Sequence, residues 1–125
     1  MTAIAHSAPT TGTIRNRILW TLQIVLGLFF IIASGLPKLL GEATAVHVFQ
    51  QIGWGEWFRY LTGAVEVAGG LGLMIPRLTR AAAAGLTITM ICAAATQIFL
   101  MHAPATAIFP LVLAVIFGWI VTERR

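Results

Sequence analysis

Residues Phe58–Pro76, FRYLTGAVEVAGGLGLMIP, decide how the chain is read. One carboxylate, Glu66, stands midway through an apolar run whose other charge, Arg59, lies at its start. As a helix rising about 1.5 Å per residue, the run puts Glu66 roughly 12 to 14 Å from either end, near the centre of a hydrocarbon core about 30 Å thick. An ionisable residue at that depth is expensive and normally faces protein or water, which makes it a candidate for function. Gly63, Glu66, Val67 and Gly70 share one helix face at three- and four-residue spacing, with Gly69 and Gly72 nearby. The carboxylate is therefore expected to point into a helix contact. Burial there disfavours the charged form unless a cation or several donors compensate. A neutral acid donating to a neighbouring helix is the structural alternative.

The composition agrees with a membrane setting. Of 125 residues, 58% are hydrophobic and 10% charged, against about 45 to 50% and 25% in soluble domains. The net charge of +4 comes from basic residues in ones and twos at the ends of apolar runs. They read as topology signals, not as a phosphate-binding patch, so nucleic acid is not an expected partner. The single Cys92 excludes two-cysteine thiol chemistry, and an iron–sulfur cluster ligated by one copy of the chain.

Outward from the central segment, residues 1–14 are expected to form a disordered tail, with His6 solvated, ahead of one domain over 15–125. Helix 1 is expected over about 18–36. Arg15 and Arg17 before that run resemble a signal peptide, but the run exceeds the roughly 7 to 15 residues of such a region. Gly27, Ile31, Ser34 and Gly35 give helix 1 a close-packing side. Pro37 is expected to end or kink it, leaving Lys38 to snorkel at the outer interface. Between Gly41 and Glu56, the apolar Ala45, Val46, Val48, Phe49 and Ile52 suggest a short amphipathic interfacial helix, flanked by Trp54 and Trp57 at headgroup level.

Helix 2 covers about 57–75, and the basic turn from Pro76 to Arg80 leads into helix 3 over about 81–100. Gly85, Thr89, Cys92, Ala93 and Thr96 make a small and hydroxyl stripe there, the natural partner for the Glu66 face. Gln97 and His102 lie near its outer end. His47 and His102 have no ligand-spacing motif around them, so no metal or haem site is read. Helix 4 runs over about 105–121 with a kink expected at Pro110. Arg15, Arg17, Arg77, Arg80, Arg124 and Arg125 fall on one side and Lys38 and Arg59 on the other. The positive-inside bias then puts both termini in the cytoplasm. The expectation is an all-α transmembrane four-helix bundle of the cell membrane, packed through Gly27, Gly35, Gly63, Gly70 and Gly85.

The stretch Ser34-Gly35-Leu36-Pro37-Lys38-Leu39, Gly53, and Gly63 with Glu66, Gly69 and Gly70 resemble the DoxX-like family of small four-helix membrane proteins. Arg77 and the alanine-rich start of helix 3 continue the likeness, which covers roughly residues 17–96. The resemblance implies quinone-linked or thiol-linked oxidation. Archaeal members are linked to a thiosulfate:quinone oxidoreductase and some bacterial relatives to redox-stress assemblies. This chain has neither paired cysteines nor a haem-ligand set, so direct catalysis is not what its residues support.

Three functions remain open at this level. One is a membrane subunit of a redox system that holds a quinone or other lipid, or passes protons, at Glu66, with Lys38 as counter-charge and Thr89, Thr96 and Gln97 facing it. Lys38 reaches Glu66 only if helix 1 tilts or continues through Pro37. Another is a small-solute carrier or channel, which needs a homo-oligomer because four short helices without inverted halves make a poor transporter alone. The third is a scaffold whose polar stripe only fixes packing.

Overall fold

The structure, a computed structural model, describes residues 11–124. It is all-helical, with no strand among the described residues. Helix α1 is an α segment, Thr11–Leu28, that widens into a π segment, Phe29–Gly35, and closes with a last α turn, Leu36–Leu40. Helix α2 is Ala43–Ile52, α3 is Glu56–Leu73, α4 joins Thr79–Ala95 to a π segment Thr96–Leu100, and α5 joins a 3-10 turn, Pro104–Ala107, to Ile108–Glu123.

Three of these are long and apolar enough to cross a membrane: Gly12–Leu40, Thr79–Leu100 and Pro104–Glu123. Helix α3, expected as the second span, is not among the three, because its eighteen residues carry Glu56, Arg59 and Glu66. It packs between α1 and α4 and buries Arg59 and Glu66, each 3% exposed.

Two expectations about α1 are corrected. Residues 11–14, assigned to the tail, are helical; the rest of that tail lies outside the described residues. The helix starts early because its first turns are tied to the chain's other end: Arg15 pairs with Glu123 at 3.2 Å, and Asn16 Oδ1 accepts from Arg124 Nη1 at 2.7 Å. At the other end, Pro37 does not stop the helix. It occupies the second residue of the last α turn, and the helix continues through it to Leu40. The π segment ahead of it shifts the ladder, so that Leu36 N–H reaches back five residues to the Ile31 carbonyl. The end comes at Gly41, whose φ of 76° suits glycine and turns the chain into α2.

Pro110 is likewise not a mid-helix break. It is the third residue of the α segment of α5, just after the 3-10 turn, and the helix runs on through it.

Glycines set two of the helix contacts. A Cβ on Gly70 would sit 2.6 Å from the Gly27 carbonyl oxygen, and one on Gly35 or Gly63 would sit 3.0 Å from the other's carbonyl oxygen. Helix α1 therefore meets α3 backbone to backbone at two levels, one on each side of Glu66. Gly69 and Gly72 then receive Leu86 and Ala82 of α4. The expected glycine contact at Gly85 does not form: a Cβ there meets nothing within 4 Å. The apolar core gathers Leu19, Phe30, Leu73, Leu86, Phe117 and Ile120 from four helices. Phe30 against Phe117, ring centroids 5.5 Å apart, closes α5 onto α1.

Candidate functional site

The face of α3 that carries Glu66 packs on α1, and that is where its partners are. Lys38 Nζ lies 2.8 Å from Glu66 Oε1, with the lysine side chain 19% and the carboxylate side chain 4% exposed. The same ammonium donates to Ser34 Oγ at 2.9 Å and to the Ser34 carbonyl at 3.3 Å. The Ser34 hydroxyl in turn donates to Glu66 Oε1 at 3.1 Å. A helical side chain leans toward the N-terminus of its helix, so Lys38 runs back one turn over Ser34 and into the bundle. The lysine is thus not a snorkelling surface charge. The arrangement supplies the cation and the extra donor that a buried carboxylate requires.

Arg59, counted by sequence as an outer surface charge, is buried at the head of α3. Its Nη1 donates to the Lys38 carbonyl, Nη2 lies 3.8 Å from Glu56, and its guanidinium lies 4.4 Å from the centre of the Tyr60 ring.

The stripe of α4 was expected to contact the Glu66 face directly. It stands instead across a cleft of about 370 Å³, which Lys38, Glu66, Thr89, Thr96 and Gln97 all line. The gap exists because α3 meets α1 through glycines, while Gly69 and Gly72 bring α4 close only at the deeper end. Helix α2 covers the other end with Val48, Phe49 and Ile52, its start fixed by Glu42, whose carboxylate accepts from the Thr44 and Ala45 N–H groups at 3.0 and 3.1 Å. Those two bonds hold the Glu42 carboxyl below its ordinary range. On the outer side Leu61, Val65 and Ile88 are exposed apolar residues, so the opening faces the surface that lipid would cover. The result is a greasy groove with a charged pair at its inner wall.

A second buried polar centre lies at the opposite end of the bundle, and the sequence reading passed over it. Gln23 is fully buried; it donates to the Leu73 carbonyl at 2.8 Å and to Thr79 Oγ1 at 3.3 Å, and accepts from Arg124 Nε at 2.7 Å. An amide in an apolar run, four residues from Leu19 and four from Gly27, was the available signal. Ser34 was read only as a small packing residue, and Arg59 only as a topology charge.

An all-helical chain with three apolar spans and a buried ion pair is a small membrane protein. Residues 21–120 match the model of the DoxX-like family, and the chain belongs to that family. No curated protein and no solved structure matches it.

Proposed function

We propose that the protein is a membrane subunit or accessory of a redox system, and that its cleft holds an amphipathic small molecule drawn from the lipid phase, a quinone or another lipid of that class. The observation that carries this reading is the position of the Lys38–Glu66 pair in the wall of a cleft whose open side is apolar. A pair that served packing alone would be closed over by side chains. Here it borders a space within the range of roughly 300 to 1,000 Å³ common for ligand sites. Of two π segments, Phe29–Gly35 carries Ser34, which donates to Glu66 from behind the wall, and Thr96–Leu100 carries the lining residues Thr96 and Gln97; such segments concentrate at functional sites.

In this reading all four long helices span the cell membrane with both termini in the cytoplasm, α3 being shielded from lipid along its polar face. Six arginines on the cytoplasmic side against Lys38 and Arg59 outside support that orientation. The redox partner would dock on the bundle, alone or as a homo-oligomer.

The test is native mass spectrometry and lipid extraction of the gently solubilised protein, wild type and Glu66→Gln. A quinone-class lipid retained by wild type and lost from the variant is the expected result. Bulk phospholipid alone in both would overturn the reading.

A further inference from the structure

The hydrogen-bonding groups around the cleft are not balanced. The Lys38 ammonium has three N–H donors, and Ser34 Oγ, the Ser34 carbonyl and Glu66 Oε1 take all three. The one Ser34 O–H goes to Glu66. Among the lining threonines, Thr62 donates to the Phe58 carbonyl at 2.8 Å, Thr89 to that of Gly85 at 2.9 Å and Thr96 to that of Cys92 at 2.8 Å. Each hydroxyl has a single proton, and a carbonyl can only accept, so these donors are also consumed.

Gln97 departs from this pattern by one N–H. Thr106 Oγ1 lies 2.6 Å from both the Ala103 carbonyl and the Gln97 amide oxygen as assigned, and one proton cannot serve both. Turning the amide resolves the conflict: Nε2 donates one N–H to Thr106, Thr106 donates to Ala103, the Gln97 oxygen is released, and the second amide N–H is the one spare donor among these ammonium, hydroxyl and amide groups. Acceptors are left over. Glu66 Oε1 takes both bonds the pair makes, whereas a carboxylate has about four acceptor positions.

From this we infer that the cleft selects a ligand whose polar end is a neutral hydrogen-bond donor, a phenolic or other hydroxyl, over one that can only accept, such as a quinone carbonyl or an ether. The Lys38–Glu66 pair is neutral overall, so it offers no net attraction to a charged head. This inference rests on the reading of the cleft as a ligand site. For a quinone-class occupant it assigns the cleft to the reduced, hydroxylated form.

The experiment uses the full chain in nanodiscs and two redox-inert probes, 4-octylphenol and 4-octylanisole, with occupancy read by native mass spectrometry. They differ by one methyl group on the oxygen. Wild type should hold the phenol at least about tenfold more tightly, the low end for a hydrogen bond to a charged acceptor. The preference should shrink in Glu66→Gln. Filling the exposed mouth with Ile88→Trp should remove both probes, which separates the cleft from bulk partition. Equal retention of the two probes by wild type, with both lost in Ile88→Trp, would overturn the donor selectivity and leave the ligand site standing. Retention of neither probe, or no effect of Ile88→Trp, would overturn both.

Discussion

Arg59 Nη1 donates to the main-chain carbonyl of Lys38, so a buried guanidinium at the head of α3 holds the last turn of α1. Glu66 lies seven residues further along α3, about two turns. Arg59 therefore sets the height at which the Lys38 ammonium meets the carboxylate, although it is not among the residues lining the cleft. Arg59→Leu should cost about 1–3 kcal/mol through the lost charged hydrogen bond, and should weaken phenol retention as the pair loosens. Arg59→Lys, which keeps a donor, should restore part of both. Denaturation in a fixed detergent together with probe occupancy reads the effect; unchanged values in Arg59→Leu would refute the coupling.

The glycine contacts make opposite predictions for the same substitution. In Gly70→Ala the new methyl would lie 2.6 Å from a main-chain oxygen of α1, so the helices must separate. Overpacking of that kind costs about 1–3 kcal/mol. In Gly85→Ala the methyl meets nothing, and the gain in helix propensity, up to about 1 kcal/mol, stands alone. Thermal unfolding should place Gly70→Ala below wild type and Gly85→Ala at or above it.

What could be read from the sequence follows from what periodicity encodes. The helices, the short helix after Gly41 and the Gly63–Glu66–Gly70 face were visible because spacing along one helix fixes which residues share a side. Which helix that face would meet was not visible. The threonine stripe of α4 looked complementary, yet Gly27 and Gly35 of α1 allow a closer approach and take the contact. Lys38 was misplaced because Pro37 implied a helix end, whereas the helix passes from a π segment straight through it. All five residues named as a ligand or proton site line one cleft, since each lies on a face turned inward. Gln23 escaped notice because its partners, Leu73 and Arg124, lie fifty and one hundred and one residues away.

That distant polar centre should behave as a unit. Gln23→Leu leaves Arg124 Nε without its amide acceptor, and Arg124→Leu leaves the Gln23 oxygen without its donor. Either single change should destabilise by about 1–3 kcal/mol. Because they remove the same bond, the double variant should be less destabilised than the sum, by about 0.5–3 kcal/mol. Additive losses in a double-mutant cycle would show that the two side chains act independently.

Glu42 gives α2 a dependence on acid. Its folded-state carboxyl titrates below the ordinary 4.5, because the charged form accepts the Thr44 and Ala45 N–H groups. A group whose folded value is depressed stabilises fully above the unfolded value and loses that contribution as pH falls through the folded one. Amide exchange at Thr44 and Ala45, corrected for the intrinsic pH effect, should therefore be flat above about pH 5 and accelerate in stronger acid. Glu42→Gln should flatten the curve. An unchanged acid response in that variant would assign it to another group.

The Lys38–Glu66 pair allows a sharper test, because removing one charge and removing both have different consequences. Lys38→Met leaves Glu66 buried at 4% side-chain exposure with only the Ser34 hydroxyl to support it. Breaking a buried pair from one side typically costs about 3–5 kcal/mol, chiefly the cost of the stranded charge. Adding Glu66→Gln removes that charge while keeping an oxygen to which Ser34 can donate, so the double variant should regain most of the loss. Its packing would be restored, but the neutral amide accepts more weakly than the carboxylate, so phenol selectivity should stay low. Unfolding free energies of the wild type, both single variants and the double variant give the cycle. If Lys38→Met and the double variant proved equally unstable, the lysine would contribute through its hydrogen bonds to Ser34 and not by compensating the carboxylate.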